Sequence, residues 1–392
     1  MYLLLLSVIY ISFISLGLPD SILGAAWPVM AGEFSAPLSY AGIISMIICF
    51  GTVISSLMSD LMTRKLGTGL VTAISVLLTA AALLGFSLSR NFIVLCFLAI
   101  PYGLGAGAVD AALNNYVALH YKSRHMSWLH CFWGLGATAG PYIMGLALQA
   151  DLGWRSGYGI VSVIQFGLTF LLFVSLPIWK KRTSPAEQTD STPLGLKGAV
   201  KIPGVKAIMF AFFGYSTLEA TAGLWASSYL VNFRSVDPET AATFASLLFL
   251  GLTVGRFLSG FVADRVGDKN MIRAGLVGMG IGIVMILLPT KTDVFALAGL
   301  IMVGFGAAPI YPAIIHSTPS HFGAENSQAI VGIQMASAYC GSTFMPPLFG
   351  LIAQHIHIGL YPVFLLGALM IMIFMTEKVN RTCRHDLSVN MQ

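Results

Sequence analysis

The chain has 392 residues, of which 56% are hydrophobic and 9% are charged, and its formal net charge is +5. Soluble globular proteins carry about 25% charged residues, so this composition excludes a soluble enzyme and predicts a polytopic membrane protein without enzymatic activity. Basic residues in membrane proteins mainly fix topology. The positive charge therefore predicts contact with the lipid bilayer and no nucleic-acid partner.

An apolar run of about 20 residues is needed to cross a bilayer, and the chain supplies twelve such runs. The first run continues through Asp20 to Met30 and lacks a basic start, so we expect a membrane span there instead of a cleaved signal peptide. The fold class predicted is an all-α membrane protein with twelve transmembrane helices in two six-helix halves. The candidate spans are residues 3–30, 38–62, 68–88, 92–119, 127–149, 156–178, 206–232, 240–262, 271–289, 294–316, 327–353 and 358–376.

One long polar segment, 179–204, is rich in Pro, Ser and Thr and predicts a cytoplasmic linker. It separates an N-terminal bundle, 1–178, from a C-terminal bundle, 205–376, which a cytoplasmic tail, 377–392, follows. With both termini in the cytoplasm, sixteen of the 21 Lys and Arg fall on that side and four fall outside, while Arg256 lies within a span. The expected location is the plasma membrane, which is the inner membrane in a bacterium.

Three carboxylates fall inside predicted spans: Asp110 in the fourth, Asp20 in the first and Glu219 in the seventh. An ionisable group at bilayer depth is costly, faces the bundle interior or a water-filled cavity, and by default marks a functional site. We expect Asp110 and Asp20 to couple transport to protons and Glu219 to line a substrate cavity. The alternative for Asp110 is a structural carboxylate bonded to Asn114, one turn further along the helix.

Polar and aromatic side chains in the same spans are candidates for substrate binding. An amide or imidazole offers hydrogen bonds to sugar hydroxyls, and an aromatic ring can stack on the apolar face of a sugar. For each, a structural role between helices is the alternative, and snorkelling or latch pairing is expected of Arg256. The candidates are Asn114, Asn115, His130, Gln334, Trp27, Trp133, Trp225, Tyr311 and Tyr339, together with Glu219.

The two halves repeat one another at an offset of about 200 residues. SLMSDLMTRKLGTG after the second span aligns with SGFVADRVGDKN after the eighth, and GLGAG in the fourth span aligns with GFGAA in the tenth. A consistent offset across several weak matches indicates an internal duplication. The alignment pairs Asp60 with Asp264, Gly67 with Gly267, His130 with Gln334, and Asp110 with Tyr311.

GFVADRVGDKN resembles the loop motif of the major facilitator superfamily, with its Gly, Asp-Arg, Gly and basic residue at Gly260, Asp264, Arg265, Gly267 and Lys269. The resemblance implies two homologous halves and transport by alternating access. Asp264 is expected to accept from the N-terminal amides of a neighbouring helix, while Arg265 and Lys269 pair with cytoplasmic carboxylates. Asp60, Arg64 and Lys65 form the reduced copy in the first half and complete a predicted gating latch.

GLGAGAVDAALNNYV, followed by SWLHCFWGLGATAGP, is similar to the fucose–galactose–glucose proton symporter family. In that family an acid of the fourth span precedes an Asn, and the fifth span ends in G-x-G-x-x-x-GP. Asp20, Glu219 followed by Trp225, and GFGAAPIYPAIIH also fit, whereas Trp133 stands where the fucose carriers place an Asn. The resemblance implies proton-coupled transport of a sugar by a protein that works as a monomer.

The predicted function is proton-coupled symport of a small polar solute, with a monosaccharide favoured and no cofactor other than the coupling ion. The first half, with Asp20, Asp110 and His130, is the predicted proton site, and Glu219, Tyr311 and Gln334 form the other wall for the substrate. A drug or metabolite exporter of the same fold and a sodium-coupled sugar carrier are the alternatives. A passive channel or receptor is a third alternative, and the repeat and the latch argue against it.

Overall fold

The computed structural model describes residues 2–20, 22–36, 40–180, 195–236, 238–290 and 292–389. Eleven helical stretches among them are long and apolar enough to cross a membrane, and the last, Ala324–Cys383, contains two helices. The predicted all-α membrane fold with twelve spans is therefore confirmed. Most of the predicted linker falls on 181–194, outside the described residues.

The chain divides into two compact units, each built from long helices. Unit 1 comprises Met1–Tyr116 and Leu129–Gly195, and unit 2 comprises Val117–Trp128 and Leu196–Gln392. The helices of the first half are α1 (Tyr2–Gly17), α2 (Ile22–Glu33), α3 (Tyr40–Leu66), α4 (Thr68–Leu88), α5 (Phe92–His120), α6 (Ser123–Gln149) and α7 (Gly153–Lys180). Segment 117–128, the end of α5 and the start of α6, thus belongs to unit 2 by its contacts.

The second half begins with a short helix, α8 (Gly195–Ala199), inside the predicted linker. The remaining helices are α9 (Val205–Arg234), α10 (Pro238–Val266), α11 (Asp268–Leu287), α12 (Val294–Ala307), α13 (Ile310–Phe322), α14 (Ala324–Ile352) and α15 (Tyr361–Val389). Helix α15 continues through most of the predicted tail, 377–392. A π-helical turn, Ala353–His357, and a 3₁₀ turn, Ile358–Leu360, join α14 to α15.

Two predicted spans are broken into two helices each. The first breaks between α1 and α2 at residues 18–20, which include Pro19, and the tenth breaks between α12 and α13 at Ala308 and Pro309. Proline has no backbone N–H and cannot donate the helical hydrogen bond at its position. Such a break leaves backbone groups without helical partners, which a membrane protein tolerates only where the segment is enclosed by protein or water.

The duplication predicted from the sequence is also visible in the contacts between helices. A Cβ at Gly103 of α5 would overlap the carbonyl oxygen of Ile48 in α3, and a Cβ at Gly304 of α12 would overlap that of Leu248 in α10. Glycine at these positions lets two backbones approach closely, which is how helices associate where lipid supplies no hydrophobic driving force. A close glycine contact therefore joins equivalent helices in both halves.

The turns after α3 and α10 also share one backbone conformation. Gly67 has φ 79° and ψ 152°, and Gly267 has φ 78° and ψ 151°. This region of the Ramachandran map is essentially restricted to glycine. Each glycine lets one long helix reverse directly into the next, so the two latch motifs share their geometry even though their charges differ.

Alanine at Gly267 is expected to lower the free energy of unfolding by about 1–3 kcal/mol, because a side chain is strained at this φ and ψ. Gly145→Ala in α6 is the matched control, since its Cβ would meet no atom within 4 Å. Thermal unfolding of the purified protein in detergent measures both. Equal melting temperatures for the two variants would contradict the strain argument.

An ion pair at one end of unit 1 ties α2 to α7. Glu33 accepts from Trp154 Nε1 at 2.7 Å and from Arg155 Nη1 at 2.8 Å. Arg155 also donates to the carbonyl oxygen of Ser89, at the end of α4, at 2.9 and 3.1 Å. The hydrogen bond from Trp154, supported by Arg155, holds the pKa of Glu33 below its ordinary value of 4.5.

A lowered pKa means that the Glu33 carboxylate adds stability above pH 4.5, and that this contribution is lost as the pH falls through its folded-state pKa. Glu33→Gln is expected to cost less than about 1 kcal/mol at pH 7, because the pair is partly solvent-exposed. Its melting temperature should also fall less than that of the wild type between pH 7 and pH 3. Asp151→Asn, the same neutralisation at an exposed turn residue, should follow the wild-type curve.

Candidate functional site

A buried polar chain crosses from α5 to α6 inside unit 1. Asn114 Nδ2 donates to the Asp110 carboxylate at 2.7 Å and to the Asp110 backbone oxygen at 3.0 Å. Asn114 Oδ1 lies 3.2 Å from His130 Nε2. Asp110, Asn114 and His130 are 5%, 0% and 5% exposed. The structure therefore brings together a carboxylate, an amide and an imidazole that the sequence analysis singled out separately.

The directions of these hydrogen bonds follow from the chemistry of the amide. Asn114 uses its NH₂ group on Asp110, so its oxygen can only accept, and His130 Nε2 must carry the donated proton. Asp110 lies ten residues before the end of α5, which is about 15 Å along the helix. That is half the thickness of a bilayer core of about 30 Å. The chain thus connects a carboxylate at mid-membrane depth to an imidazole on the next helix.

The second acid of unit 1 lies at the break in the first span. Asp20 is exposed and accepts from Trp133 Nε1 at 2.8 Å. Beside it, a small cavity is lined by residues that include Ser15, Pro19 and Tyr102. Asp20 therefore occupies an accessible position with one indole donor, whereas Asp110 is enclosed.

Unit 2 holds a different kind of cluster. Arg256 of α10 lies 3.6 Å from the Glu219 carboxylate of α9, with side-chain exposures of 7% and 22%. The Tyr215 ring, one turn before Glu219, packs at 5.5 Å from Tyr311. Arg256 is neither snorkelling nor part of the latch: it is buried ten residues before the end of its helix. Snorkelling or latch pairing was expected of Arg256 from its sequence position. That expectation is wrong, because the guanidinium pairs with Glu219 on another helix.

Several predicted binding residues are held by protein contacts. Gln334 is fully buried and exchanges hydrogen bonds with Thr318 at 3.0 and 3.2 Å. Trp225 Nε1 donates to the Pro346 oxygen at 2.9 Å. Trp27 lies in the apolar core of unit 1, against Phe92. These side chains are therefore engaged in helix packing.

The other predicted binding residues, Tyr311, Asn115 and Tyr339, are buried or half-buried. Tyr311 donates from its hydroxyl to the Met335 sulfur at 2.9 Å and packs against Phe212 at 5.0 Å. Asn115 is buried, at 3% exposure, and Tyr339 is half-buried on α14.

The predicted latch residues behave differently in the two halves. Asp60 pairs within its own helix, with Arg64 at 2.9 Å. Asp264 accepts from the backbone N–H of Arg124, at the start of α6, at 3.1 Å and pairs with the Arg124 side chain at 3.3 Å. Asp264 thus caps a helix N-terminus, where a carboxylate is favoured. Lys65 and Arg265 are exposed and Lys269 is half-buried.

A second acid, Asp268, makes further contacts at this end of unit 2. Asp268 accepts from Ser123 Oγ at 2.5 Å and lies 2.6 Å from His316 Nδ1. His316 Nε2 lies 3.0 Å from the backbone oxygen of Tyr121. Both ring nitrogens therefore face acceptors. Together with Asp264, these contacts explain why segment 117–128 belongs to unit 2.

The sequence analysis gave Arg256 a role that the structure does not show, and it assigned no role to Tyr215, Asp268 and His316. For Arg256 a signal was present, because ten residues of helix place it about 15 Å from the end of α10, too deep for a simple surface charge. For the other three there was none. Their roles depend on partners from other helices, and a single sequence does not specify those contacts.

A two-unit, all-α membrane fold with charged groups held at bilayer depth is that of a membrane carrier. The model of the Major Facilitator Superfamily matches residues 9–245 and 207–381. The chain therefore belongs to this superfamily, whose members are transporters and not enzymes. The resemblance inferred from the loop motif is confirmed.

The relatives agree on fold and differ in what they are named for. The glucose/mannose transporter GlcP of Bacillus subtilis (strain 168) is 21% identical over 96% of this chain and 95% of its own length. FucP in the outward conformation has a TM-score of 0.81 at 14% identity, covering 96% of this chain and 99% of that structure. The proton:xylose symporter XylE has a TM-score of 0.76 at 14% identity, with 95% of each chain covered. Other relatives are named for organic acids or drug resistance.

Replacing Asn114 with Leu removes the bridge between Asp110 and His130 at nearly unchanged volume. The loss of buried hydrogen bonds to a charged group is expected to cost about 1–3 kcal/mol of unfolding free energy. Asn232→Leu is the control, because Asn232 makes the same amide-to-backbone bond four residues back at an exposed site, at 2.8 Å. Thermal unfolding in detergent should show a clearly lowered melting temperature for Asn114→Leu and not for Asn232→Leu. Equal decreases for the two variants would contradict a stabilising role of the Asp110–Asn114–His130 hydrogen bonds.

Proposed function

We propose that this carrier performs proton-coupled symport of a monosaccharide by alternating access. The observation that carries the proposal is the buried chain from Asp110 through Asn114 to His130. The proposed setting is a plasma membrane, the inner membrane in a bacterium, with both termini in the cytoplasm, as the distribution of Lys and Arg favours.

Proton coupling is supported by the depth and enclosure of Asp110. A carboxylate at mid-membrane depth is stabilised in its neutral form when water is excluded, and in its charged form when water returns. Protonation from the wetter side lowers the cost of enclosing the site. Release of the proton then accompanies opening to the other side. Asn114, itself bonded to His130, supplies a hydrogen bond that keeps the carboxylate in place.

A sugar substrate is supported by the polar groups in the first half and by two similar carriers. Asp20 and Trp133 lie together at an accessible position in unit 1, where a carboxylate can accept from hydroxyls and an indole can stack on a sugar ring. GlcP is named as a glucose/mannose transporter and XylE as a proton:xylose symporter. An exporter of apolar drugs has no need of such a polar set.

Asp110→Asn provides the direct test. Without a titratable group at this position, uphill accumulation driven by an imposed pH gradient should fall at least about tenfold, while exchange of labelled for unlabelled sugar remains. The measurement is uptake and counterflow in proteoliposomes against a panel of hexoses and deoxyhexoses. Asp151→Asn makes the same chemical change at an exposed turn and should leave both activities unchanged.

Each alternative has its own outcome in this assay. Full proton-driven accumulation by Asp110→Asn would exclude Asp110 as the coupling site. Accumulation that requires a sodium gradient would indicate a sodium-coupled carrier. Proton-driven efflux of apolar drugs, without any sugar counterflow, would indicate an exporter of the same fold.

A further inference from the structure

A cluster of charged side chains joins α11 to α15 at the proposed cytoplasmic end of unit 2, and the proton site of unit 1 does not use it. Arg273 of α11 donates to the Glu377 carboxylate of α15 from Nε at 2.7 Å and from Nη2 at 2.8 Å. Lys269 and Arg381 lie within electrostatic range of the same carboxylate. Three cations thus surround one acid, which leaves two positive charges in excess.

The two acids that are nearest to Lys269 in the sequence are engaged by other partners. Asp264 pairs with the Arg124 side chain at 3.3 Å. Asp268 accepts from Ser123 and lies 2.6 Å from His316 Nδ1. The excess positive charge between α11 and α15 therefore remains available to a ligand.

Exposed apolar side chains continue from the cluster along both helices. On α11 Arg273, Val277 and Ile281 are spaced four residues apart, and on α15 Phe374 lies three residues before Glu377. Residues spaced by three or four lie on one face of a helix. Val277 and Phe374 are each 62% exposed. Because Arg273 and Glu377 touch, the two apolar stripes begin side by side at the cluster.

The equivalent helices of the first half are joined without these charges. The offset that pairs Gly67 with Gly267 sets Gly69 against Lys269, and α4 carries no charged residue along 68–88. A Cβ at Gly69 would lie 2.6 Å from the Trp179 ring of α7. One copy of the repeat is thus closed by an aromatic ring on a glycine. The helix pair can therefore pack without a cationic cluster, which points to a function for the cluster in the second half.

The depth of the cluster selects its ligand. Glu377 lies sixteen residues after the start of α15, which is about 24 Å along a helix and close to the boundary of a hydrocarbon core of about 30 Å. Lys and Arg side chains at this boundary reach the headgroup region, and guanidinium groups bind phosphate well. A soluble anion would meet only the charges, whereas a phospholipid also covers the apolar stripes with its acyl chains.

We propose that an anionic phospholipid binds between α11 and α15. Its headgroup phosphate lies against Lys269, Arg273 and Arg381, and its acyl chains lie along the stripes that include Val277 and Phe374. This lipid is a bound partner of unit 2 and not the transported solute. The proposal is therefore independent of the substrate and of the coupling ion.

Two phospholipids with the same acyl chains test the proposal: phosphatidylglycerol, which is anionic, and phosphatidylcholine, which is zwitterionic. Each is titrated into the purified protein in detergent, and thermal stabilisation measures its affinity. A basic residue near a membrane surface contributes about 1 kcal/mol to the attraction of an anionic lipid. The wild type should therefore prefer phosphatidylglycerol by at least about tenfold. Glycerol phosphate, which has the charge without the chains, should give no stabilisation.

A double variant separates the cluster from the general positive charge of this end of the protein. Lys269→Gln with Arg381→Gln removes two bases and leaves the ion pair between α11 and α15 intact. Its affinity for phosphatidylglycerol should fall by about 10- to 30-fold, with that for phosphatidylcholine unchanged. Lys197→Gln with Lys201→Gln is the matched control, because it removes the same charge from two exposed lysines outside the cluster. The control should bind phosphatidylglycerol like the wild type.

Glu377→Gln tests the cluster in the opposite direction. It removes the acid that competes with the headgroup and should raise the affinity for phosphatidylglycerol by about fivefold. A purely structural ion pair predicts no such gain. If the double variant does not fold, Glu377→Gln decides: a raised affinity supports the proposal, and an unchanged or lowered affinity overturns it.

Three further results would overturn the proposal. Equal losses in the double variant and its lysine control would indicate general attraction to a positive surface. Equal affinity of the wild type for the two phospholipids would show that the charges select no headgroup. Stabilisation by glycerol phosphate as large as that by phosphatidylglycerol would indicate a site for a soluble anion. Transport is not measured in these titrations, so the proposed function stands or falls separately.

Discussion

The structure is governed by the cost of a charge in the bilayer. Every acid or base at bilayer depth needs a partner in the protein, because lipid offers none. In unit 1 Asp110 accepts from the Asn114 amide, which in turn bonds the His130 imidazole of α6, and in unit 2 Glu219 is met by a guanidinium. These partners constrain which helices are neighbours and how they are rotated, so the site and the packing are determined together.

Close packing between helices is the second feature that determines the structure. Gly103 against Ile48 and Gly304 against Leu248 bring equivalent helices into backbone contact in the two halves. The duplication therefore preserved the helix contacts and the glycine turns at Gly67 and Gly267, while the chemistry of the polar groups diverged.

The sequence was sufficient for the spans, the repeat, the family and the buried acids, because each depends on local composition or on spacing within one helix. It also placed Asn114 one turn from Asp110, which is a local relation. It was insufficient for the pairing of Arg256 with Glu219 and of His316 with Tyr121, because these partners are more than 30 residues apart in the chain. The break at Pro309 was likewise hidden within an apolar run, because hydropathy measures composition and not backbone continuity.

The repeat sets Asp110 against Tyr311, and this pairing explains why the halves differ in chemistry. In unit 1 the fourth span carries an acid that is hydrogen-bonded to the neutral amide of Asn114. In unit 2 the equivalent position is a phenol, and the acid lies on α9, where it pairs with the Arg256 guanidinium of α10. The two units thus hold their acids by different means, through an amide in unit 1 and through an ion pair in unit 2, even though their helices repeat one another.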